Sequence, residues 1–268
     1  MCIRDRPNIT DMESFVKFQI IDNIGQILLD NPEKKNAISP EMIKDIIKHI
    51  DSVEDNPQVR CILIASSNNK IFSSGYDISS IKEDYNDENH PLIKVTNHIK
   101  NSGKIVITVI NGHIFGGALE IAISSDFRFF SKDAIFCVPP AKLGIPYSYQ
   151  GLKNFINCVG TSNTKKIFLT GDKFNSDDAI NMGIANFISK NTEIISDAME
   201  FCKKISKNAP LSLSTLKKSI NAFQSSQTLK LDDQELIKNL IIKIQNSKDF
   251  IEGRKAFNEK REPNFKGK

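Results

Sequence analysis

A nearly continuous apolar run, VRCILIA at positions 59–65, restricts the fold of this chain more than any other segment. A strand that is apolar on both faces is typical of a parallel sheet covered by helices. Two further strand candidates follow, KIVITVI at 104–110 and DFRFF at 126–130, separated by helical segments at 91–102 and from about Gly116. This alternation predicts a layered α/β protein with right-handed crossovers.

The segments before this run predict a strand pair and a helix. FVKFQIID at 15–22 and GQILLD at 25–30 have strand character and are joined by a tight turn near Asn23-Ile24. Ser39 is expected to cap a helix whose first residue is Pro40. The apolar positions at helical spacing, which predict an inward face, are Met42, Ile43, Ile46, Ile47 and Ile50.

After about residue 150 the pattern becomes mainly helical, with one strand candidate, ANFIS at 185–189. The predicted helical segments are 150–159, 161–169, 176–182, 191–207, 211–225 and 231–258. An apolar stripe from Leu236 to Ile244 could pack on the first domain or form a subunit interface, and the pattern leaves both open. We expect a core at 12–190, a helical oligomerisation region at 191–268, and an extension foreign to the fold at 1–11.

Composition and charge exclude several classes of protein. The chain has 268 residues, 40% of them hydrophobic, so it can bury a core without disulfides or structural metals. A net charge of +4, dispersed along the chain, argues against nucleic acid but suits an anionic small molecule. No apolar run approaches the length of a membrane span. Five cysteines without a CxxC motif indicate reduced thiols and a cytoplasmic location, and no two histidines have metal-ligand spacing.

Two glycine-containing turns carry the candidate chemistry. The segments IFSSGYDISSI at 71–81 and NGHIFGGALEIAISSD at 111–126 each follow a predicted strand and lead into a helix. A helix N-terminus presents unpaired backbone N–H groups, and glycine lets another backbone or a ligand approach closely. Facing each other, two such turns could hold a developing oxyanion between two N–H groups. Neither turn matches a P-loop or a dinucleotide fingerprint.

These turns and three other blocks resemble the crotonase superfamily, the enoyl-CoA hydratase/isomerase-like enzymes. The other blocks are NPEKKNAIS at 31–39, LGIP at 143–146 and the tail EGRKAFNEKREPNF at 252–265. The resemblance runs from about Phe15 to Phe265 and implies a spiral of ββα repeats with a C-terminal helical region that forms a trimer or hexamer. It implies an acyl-CoA thioester as substrate, with coenzyme A as part of that substrate and no separate cofactor.

The resemblance also assigns roles residue by residue. The backbone N–H groups of Tyr76 and Gly117 match the oxyanion hole for the thioester carbonyl. Glu120 matches the first of two glutamates that hold water in the hydratases, whereas the second position is Pro140. Because proline has no ionisable group, ordinary hydration and isomerisation by a second glutamate are not expected. The residues implied at coenzyme A are Ala37, Ser74, Gly75, Asp77, Ile78 and, in the basic tail, Lys260.

Within the superfamily the chain is most similar to the methylmalonyl-CoA decarboxylase subfamily, on the blocks 58–64, 116–126 and 143–155. That subfamily also lacks the second glutamate and has a tyrosine near the substrate carboxylate, which Tyr147 matches. Two departures are Tyr76 in place of histidine and Pro139 in place of threonine, and Pro139 and Pro140 are expected to contact substrate.

The expected function is therefore decarboxylation of a malonyl-type thioester through an enolate. The first alternative is an enoyl-CoA hydratase or isomerase for another acyl-CoA. The second is a non-catalytic acyl-CoA-binding or RNA-binding relative. An RNA-binding surface would show a stripe of Lys and Arg with interleaved aromatic residues, whereas the basic residues here are mixed with acids throughout.

Overall fold

The computed structural model describes residues 14–80, 90–225 and 231–265. The strands are β1 (Val16–Ile21), β2 (Ile24–Leu29), β3 (Cys61–Ser66), β4 (Ile71–Ser73), β5 (Ile105–Ile110), β6 (His113–Phe115), β7 (Phe127–Ser131), β8 (Phe136–Cys137) and β9 (Phe187–Ser189). The helices are α1 (Pro40–Glu54), α2 (Pro91–Asn101), α3 (Gly117–Ile123), α4 (Pro140–Leu143), α5 (Tyr149–Thr170), α6 (Ser176–Asn181), α7 (Ile194–Ile205), α8 (Pro210–Ser225), α9 (Leu231–Gln245) and α10 (Lys248–Glu259).

In the described part of the chain, six strands form one sheet in the order β1-β2-β3-β5-β7-β9. Only the pair β1 and β2 is antiparallel, and the other neighbours run parallel. Every residue of β3 and of β5 is buried, as the apolar run at 59–65 predicts for a sheet covered on both faces.

A second sheet contains the short parallel strands β4-β6-β8. Each of them follows a strand of the first sheet and precedes a helix, which gives the successive units β3-β4-α2, β5-β6-α3 and β7-β8-α4. The expected spiral of ββα repeats is therefore confirmed. The individual strands of this sheet were not predicted, because two or three residues are too few to show an alternating pattern.

The two N-terminal predictions agree closely with the structure. The hairpin turn is formed by Asp22 and Asn23, at φ 51° and 64°, one residue earlier than predicted. The hydroxyl of Ser39 accepts a 3.2 Å hydrogen bond from the N–H of Met42 and so caps α1. The inward face of this helix packs into the main core.

After residue 150, one predicted break between helices agrees with the structure and one boundary differs from it. The break predicted between 150–159 and 161–169 is confirmed, because Gly160 has the non-helical dihedrals φ 75° and ψ 166° and interrupts α5 at this residue. The continuous helix predicted at 231–258 is wrong, because α9 ends at Gln245 and Ser247 caps a new helix by accepting from the N–H of Phe250. The new helix, α10, packs against α4.

The late apolar stripe is split between the core and solvent. Ile241 is buried, whereas Leu240 is 50% exposed, and the side chains of Leu236 and Ile237 lie outside the described part of the chain. The division at residue 190 and the oligomeric state stay predictions, and the start expected near Met12 falls outside the described residues. None of the described helices combines the length and apolar character needed to cross a membrane.

Candidate active site

A cavity of about 270 Å³ lies where the glycine turns, α4 and α10 meet. Most of its wall is apolar. Glu120 is the only carboxylate among the described residues that line it. The residues that line it include Ser74, Gly75, Tyr76, Ile78, His90, Leu92, Gly117, Glu120, Val138, Pro139, Pro140, Ile145, Tyr147, Phe250 and Phe257. The shape and polarity are those of a small-molecule site with few polar groups.

The two glycine turns pack against each other through their backbones. Gly75 has φ 105°, and a Cβ at this position would lie 3.0 Å from the carbonyl oxygen of Phe115. Gly116 has φ 51°, and its N–H donates a 2.8 Å hydrogen bond to the carbonyl of Cys137 in β8. Other residues would strain both turns, so these glycines allow the approach that the sequence suggested.

The approach places Tyr76 beside Gly117. A Cβ on Gly117 would lie 3.3 Å from the Cβ of Tyr76. The bridge between Ile38 and Tyr76 is made by the N–H groups of Ile38 and Asp77, so it does not use the N–H of Tyr76. Gly117 is the first residue of α3, and an N–H at this position has no acceptor within the helix. No acceptor for the N–H of Tyr76 or Gly117 is found among the described residues. Two adjacent free donors at a cavity can stabilise an oxyanion.

Glu120 lies in the first turn of α3 and is almost completely buried, with 1% of its surface exposed. The hydroxyl of Tyr147 donates to its Oε2 at 2.9 Å. The side-chain amide of Asn154 donates to its Oε1 at 3.2 Å. A buried carboxylate with hydrogen bonds of this kind can act in proton transfer to a ligand in the cavity.

Gly151 allows Glu120 and Tyr147 to approach the first turn of α5. A Cβ on Gly151 would lie 2.5 Å from Cε1 of Tyr147 and 2.8 Å from Oε2 of Glu120. Sequence reasoning missed Gly151 and Asn154. A glycine in the first turn of a predicted helix is a usable signal of close approach. An asparagine on a helix carries no comparable signal.

Pro139 and Pro140 form part of the apolar wall. Pro140 is buried and is the first residue of the short helix α4, which ends at Gly144, at φ 64°. A proline suits a first helical position because its missing N–H would have no partner there. The wall therefore offers no ionisable group at the position where the hydratases have their second glutamate.

The structure brings only some of the residues predicted at coenzyme A to the cavity. Ser74, Gly75 and Ile78 line it. Ala37 and Asp77 do not, although both lie in the two bridged segments beside it. Lys260 is exposed at the C-terminal end of α10, three residues after Phe257, which does line the cavity.

The aromatic groups that line the cavity include a histidine, His90, that the sequence did not indicate. The rings of Tyr76 and His90 are 4.9 Å apart, and burial raises the pKa of Tyr76. Nδ1 of His90 accepts a 3.2 Å hydrogen bond from the N–H of Leu92 and caps α2. Within the described ranges, no group of three His, Cys, Asp or Glu side chains is placed to hold a metal ion.

Comparison with known proteins identifies the family. Residues 19–268 match the enoyl-CoA hydratase/isomerase family, and the chain belongs to it. It is 29% identical over 257 residues to methylmalonyl-CoA decarboxylase of Escherichia coli strain K12, which covers 94% of this chain and 98% of that protein. It is also 29% identical over 255 residues to carnitinyl-CoA dehydratase of the same strain, which covers 92% of this chain and 96% of that protein.

Solved structures give the same result. A crystal structure of methylmalonyl-CoA decarboxylase superposes with a TM-score of 0.90 at 29% identity, over 95% of this chain and 98% of that one. A complex of methylmalonyl-CoA decarboxylase with 2-nitronate-propionyl-CoA gives the same TM-score and identity. The predicted crotonase fold is therefore confirmed, while the similar proteins carry different activities.

Proposed function

We propose that this chain is an acyl-CoA enzyme that decarboxylates a malonyl-type thioester, with methylmalonyl-CoA as its substrate. The observation that carries the proposal is that Glu120 is the only carboxylate among the described lining residues, with Pro140 at the position that matches the second glutamate. Adding water across a double bond calls for a base and an acid, whereas losing carbon dioxide calls for neither in the bond-breaking step. The similarity to methylmalonyl-CoA decarboxylase supports the same reaction.

The oxyanion donors supply the main catalytic effect. When the carbon–carbon bond to the carboxylate breaks, its electron pair moves into the thioester and forms an enolate with negative charge on oxygen. We assign the N–H groups of Tyr76 and Gly117, which have no acceptor among the described residues, to that oxygen. Each such donor contributes about 10² to 10³ in rate, because the donor is aligned before the charge develops.

The apolar wall promotes departure of carbon dioxide. Val138, Pro139, Pro140 and Ile145 line the part of the cavity that we assign to the carboxylate. Removing water from a carboxylate raises its energy relative to neutral carbon dioxide. The Tyr147 hydroxyl can orient the carboxylate out of the thioester plane, but it has one proton to donate and must then turn away from Glu120.

The reaction ends with protonation of the enolate carbon. Decarboxylation consumes one proton, which enters from solvent, and Glu120 delivers it directly or through the Tyr147 hydroxyl. The products are carbon dioxide and propionyl-CoA. Glu120 and Tyr147 are joined by a hydrogen bond, so either group can be the immediate donor.

We propose that the turn from Ser74 to Ile78, together with Ala37, lines the adenine end of coenzyme A, and that Lys260 in the C-terminal tail contacts the same group. No cofactor beyond the coenzyme A of the substrate is proposed. We further propose that residues 191–268 assemble the chain into a trimer or hexamer.

One substrate panel tests the proposed reaction. The purified protein is incubated separately with methylmalonyl-, malonyl-, crotonyl- and carnitinyl-CoA, and products are identified by mass spectrometry. We expect propionyl-CoA from methylmalonyl-CoA and poor hydration of crotonyl-CoA. Efficient hydration of crotonyl-CoA, with methylmalonyl-CoA untouched, contradicts the proposal.

The alternative is a hydratase or isomerase for a different acyl-CoA. It is favoured by the equal identity to carnitinyl-CoA dehydratase and by the Glu120–Tyr147 pair, which could serve as one acid–base unit. Turnover of carnitinyl-CoA in the panel, without decarboxylation, would select this alternative.

A further inference from the structure

A chain of polar contacts extends from Glu120 through Asn154 in α5 to Lys100 in α2. Nδ2 of Asn154 donates to Oε1 of Glu120 at 3.2 Å. Oδ1 of the same side chain accepts from Nζ of Lys100 in α2 and, at 3.2 Å, from Nε2 of Gln150. Asn154 is buried, with 5% of its surface exposed, so these contacts replace contacts with water.

The chemistry of these groups fixes which way the Asn154 amide points. An amide can present either its oxygen or its NH₂ group to a neighbour, and Gln150 has the same freedom. An ammonium group can only donate. Lys100 therefore requires the Asn154 oxygen on its own side, which leaves the NH₂ group for Glu120. An oxygen facing the carboxylate would repel it instead.

We infer that Lys100 and Asn154 are positioning residues for Glu120, with Lys100 orienting the Asn154 amide and Asn154 holding Oε1 so that Oε2 stays beside the Tyr147 hydroxyl. The inference rests on the proposed function, in which Glu120 delivers a proton to the enolate carbon. A carboxylate free to rotate would meet that carbon in the correct geometry less often.

The surroundings of Lys100 support its role in orienting the Asn154 amide. Burial lowers the pKa of the Lys100 ammonium, while the Glu120 charge acts in the opposite direction. Behind Lys100 lies a polar cavity of about 570 Å³, which Lys218 of α8 also lines. In the described part of the chain, the titratable groups around Glu120 and Lys100 include Tyr147 before α5, Lys153 and Cys158 on α5, Lys218 on α8, and Tyr76 and His90 at the cavity.

The test uses exchange of the α-hydrogens of propionyl-CoA in D₂O, which is the reverse of enolate protonation, followed by mass spectrometry. We expect Lys100→Met to lower the maximal exchange rate about 10- to 100-fold, which is less than the full contribution of general acid–base catalysis because Glu120 is still present. The KM should stay within about 2-fold of the wild-type value. The acidic limb of the variant's pH–rate profile should move to higher pH, because the Glu120 carboxylate loses the nearby ammonium charge and the fixed Asn154 hydrogen bond, both of which favour its charged form.

Two further variants make the result decisive. Asn154→Asp keeps the shape but places a second carboxylate opposite Glu120, so it should lose more exchange activity than Lys100→Met. If Lys100→Met fails to fold, Asn154→Asp alone tests whether the Asn154 amide positions Glu120. Lys218→Met removes a charge from the same polar cavity at an exposed position and should leave exchange unchanged.

The outcomes separate this inference from the proposed function. Wild-type rates and pH profiles in folded Lys100→Met, or in Asn154→Asp, overturn the inference. Exchange by the wild type without decarboxylation of methylmalonyl-CoA overturns the proposed function alone, and the variants then decide the inference by exchange. A wild type that does neither overturns both.

Discussion

The hydroxyl of Tyr147 donates a 2.9 Å hydrogen bond to Oε2 of Glu120, which joins the only two groups in the cavity that we assign to proton transfer. The tyrosine ring is fixed independently of that bond. It packs edge-on against Phe168, at 4.7 Å between centroids, and against Phe155 at 6.2 Å. Removing the hydroxyl should therefore leave the ring in place, so its chemical role can be tested separately from its packing.

Tyr147→Phe should reduce decarboxylation and preserve binding. The ring contacts stay, whereas the hydroxyl no longer orients the carboxylate or contacts Glu120. The activation free energy for kcat should rise by roughly 1.5–3 kcal/mol, the range for a hydrogen bond to a charged partner. Steady-state kinetics with methylmalonyl-CoA measures it. Tyr149→Phe, two residues further along, is the matched control, and an equal loss in both variants would argue against a specific role.

Glu120→Gln should separate the two halves of the reaction. The amide keeps the shape of the carboxylate but cannot give up a proton, so protonation of the enolate should slow by about 10²- to 10⁴-fold. Loss of carbon dioxide depends on the oxyanion donors and should slow less. Single-turnover measurements of carbon dioxide release and of deuterium uptake into propionyl-CoA compare the two steps. Equal slowing of both would contradict this assignment of Glu120.

Gly117→Pro tests the oxyanion hole directly. Proline fits a first helical position but has no N–H, so turnover should fall by about 10²- to 10³-fold. Gly117→Ala keeps the N–H, although its Cβ would meet Cδ1 of Leu92 at 2.6 Å and this flexible side chain must move. The alanine variant should therefore retain more activity. Calorimetric binding of propionyl-CoA checks that the site persists, and full turnover in the proline variant excludes this donor.

Sequence patterns predicted the features that depend on short-range signals. Continuous apolar runs indicated β3 and β5, and glycine turns indicated the site. The break at Ser247 was missed because apolar residues continue on both sides of the cap. Asn154 and Lys100 were missed because they are 54 residues apart and meet only when α2 packs near α5. No local spacing encodes such a contact.

The exposed face of α8 should form a subunit interface. Leu216, Ile220 and Phe223 lie on one side of the helix and are 60%, 58% and 80% exposed. Such a stripe is unfavourable in water, and a stable assembly would cover it. We expect a trimer or hexamer in analytical ultracentrifugation, and smaller species for Ile220→Lys combined with Phe223→Lys. Lys218→Met on the same helix should not change the assembly, and a monomeric wild type at micromolar concentration would contradict the prediction.

Lys217 of α8 is buried and connects this helix to the core. Its Nζ lies 2.7 Å from Oδ2 of Asp126 and donates to the carbonyl groups of Ile99 and Lys104 at 3.1 and 2.9 Å. Burial raises the pKa of Asp126 even though Lys217 opposes the shift. Asp126 also accepts from the N–H of Val106 at 2.7 Å. The ammonium is therefore the main group that offsets the cost of this buried charge.

Lys217→Met should destabilise the protein by about 3–5 kcal/mol at neutral pH, because it leaves the Asp126 charge buried without a partner. The loss should shrink as the pH falls through the raised pKa, since folded Asp126 then takes up a proton before the unfolded chain does. Urea denaturation at several pH values measures both effects. Adding Asp126→Asn removes the unpaired charge and should recover much of the stability. If Lys217→Met is equally destabilised at every pH, or the second substitution recovers nothing, the loss comes from packing and not from the buried charge.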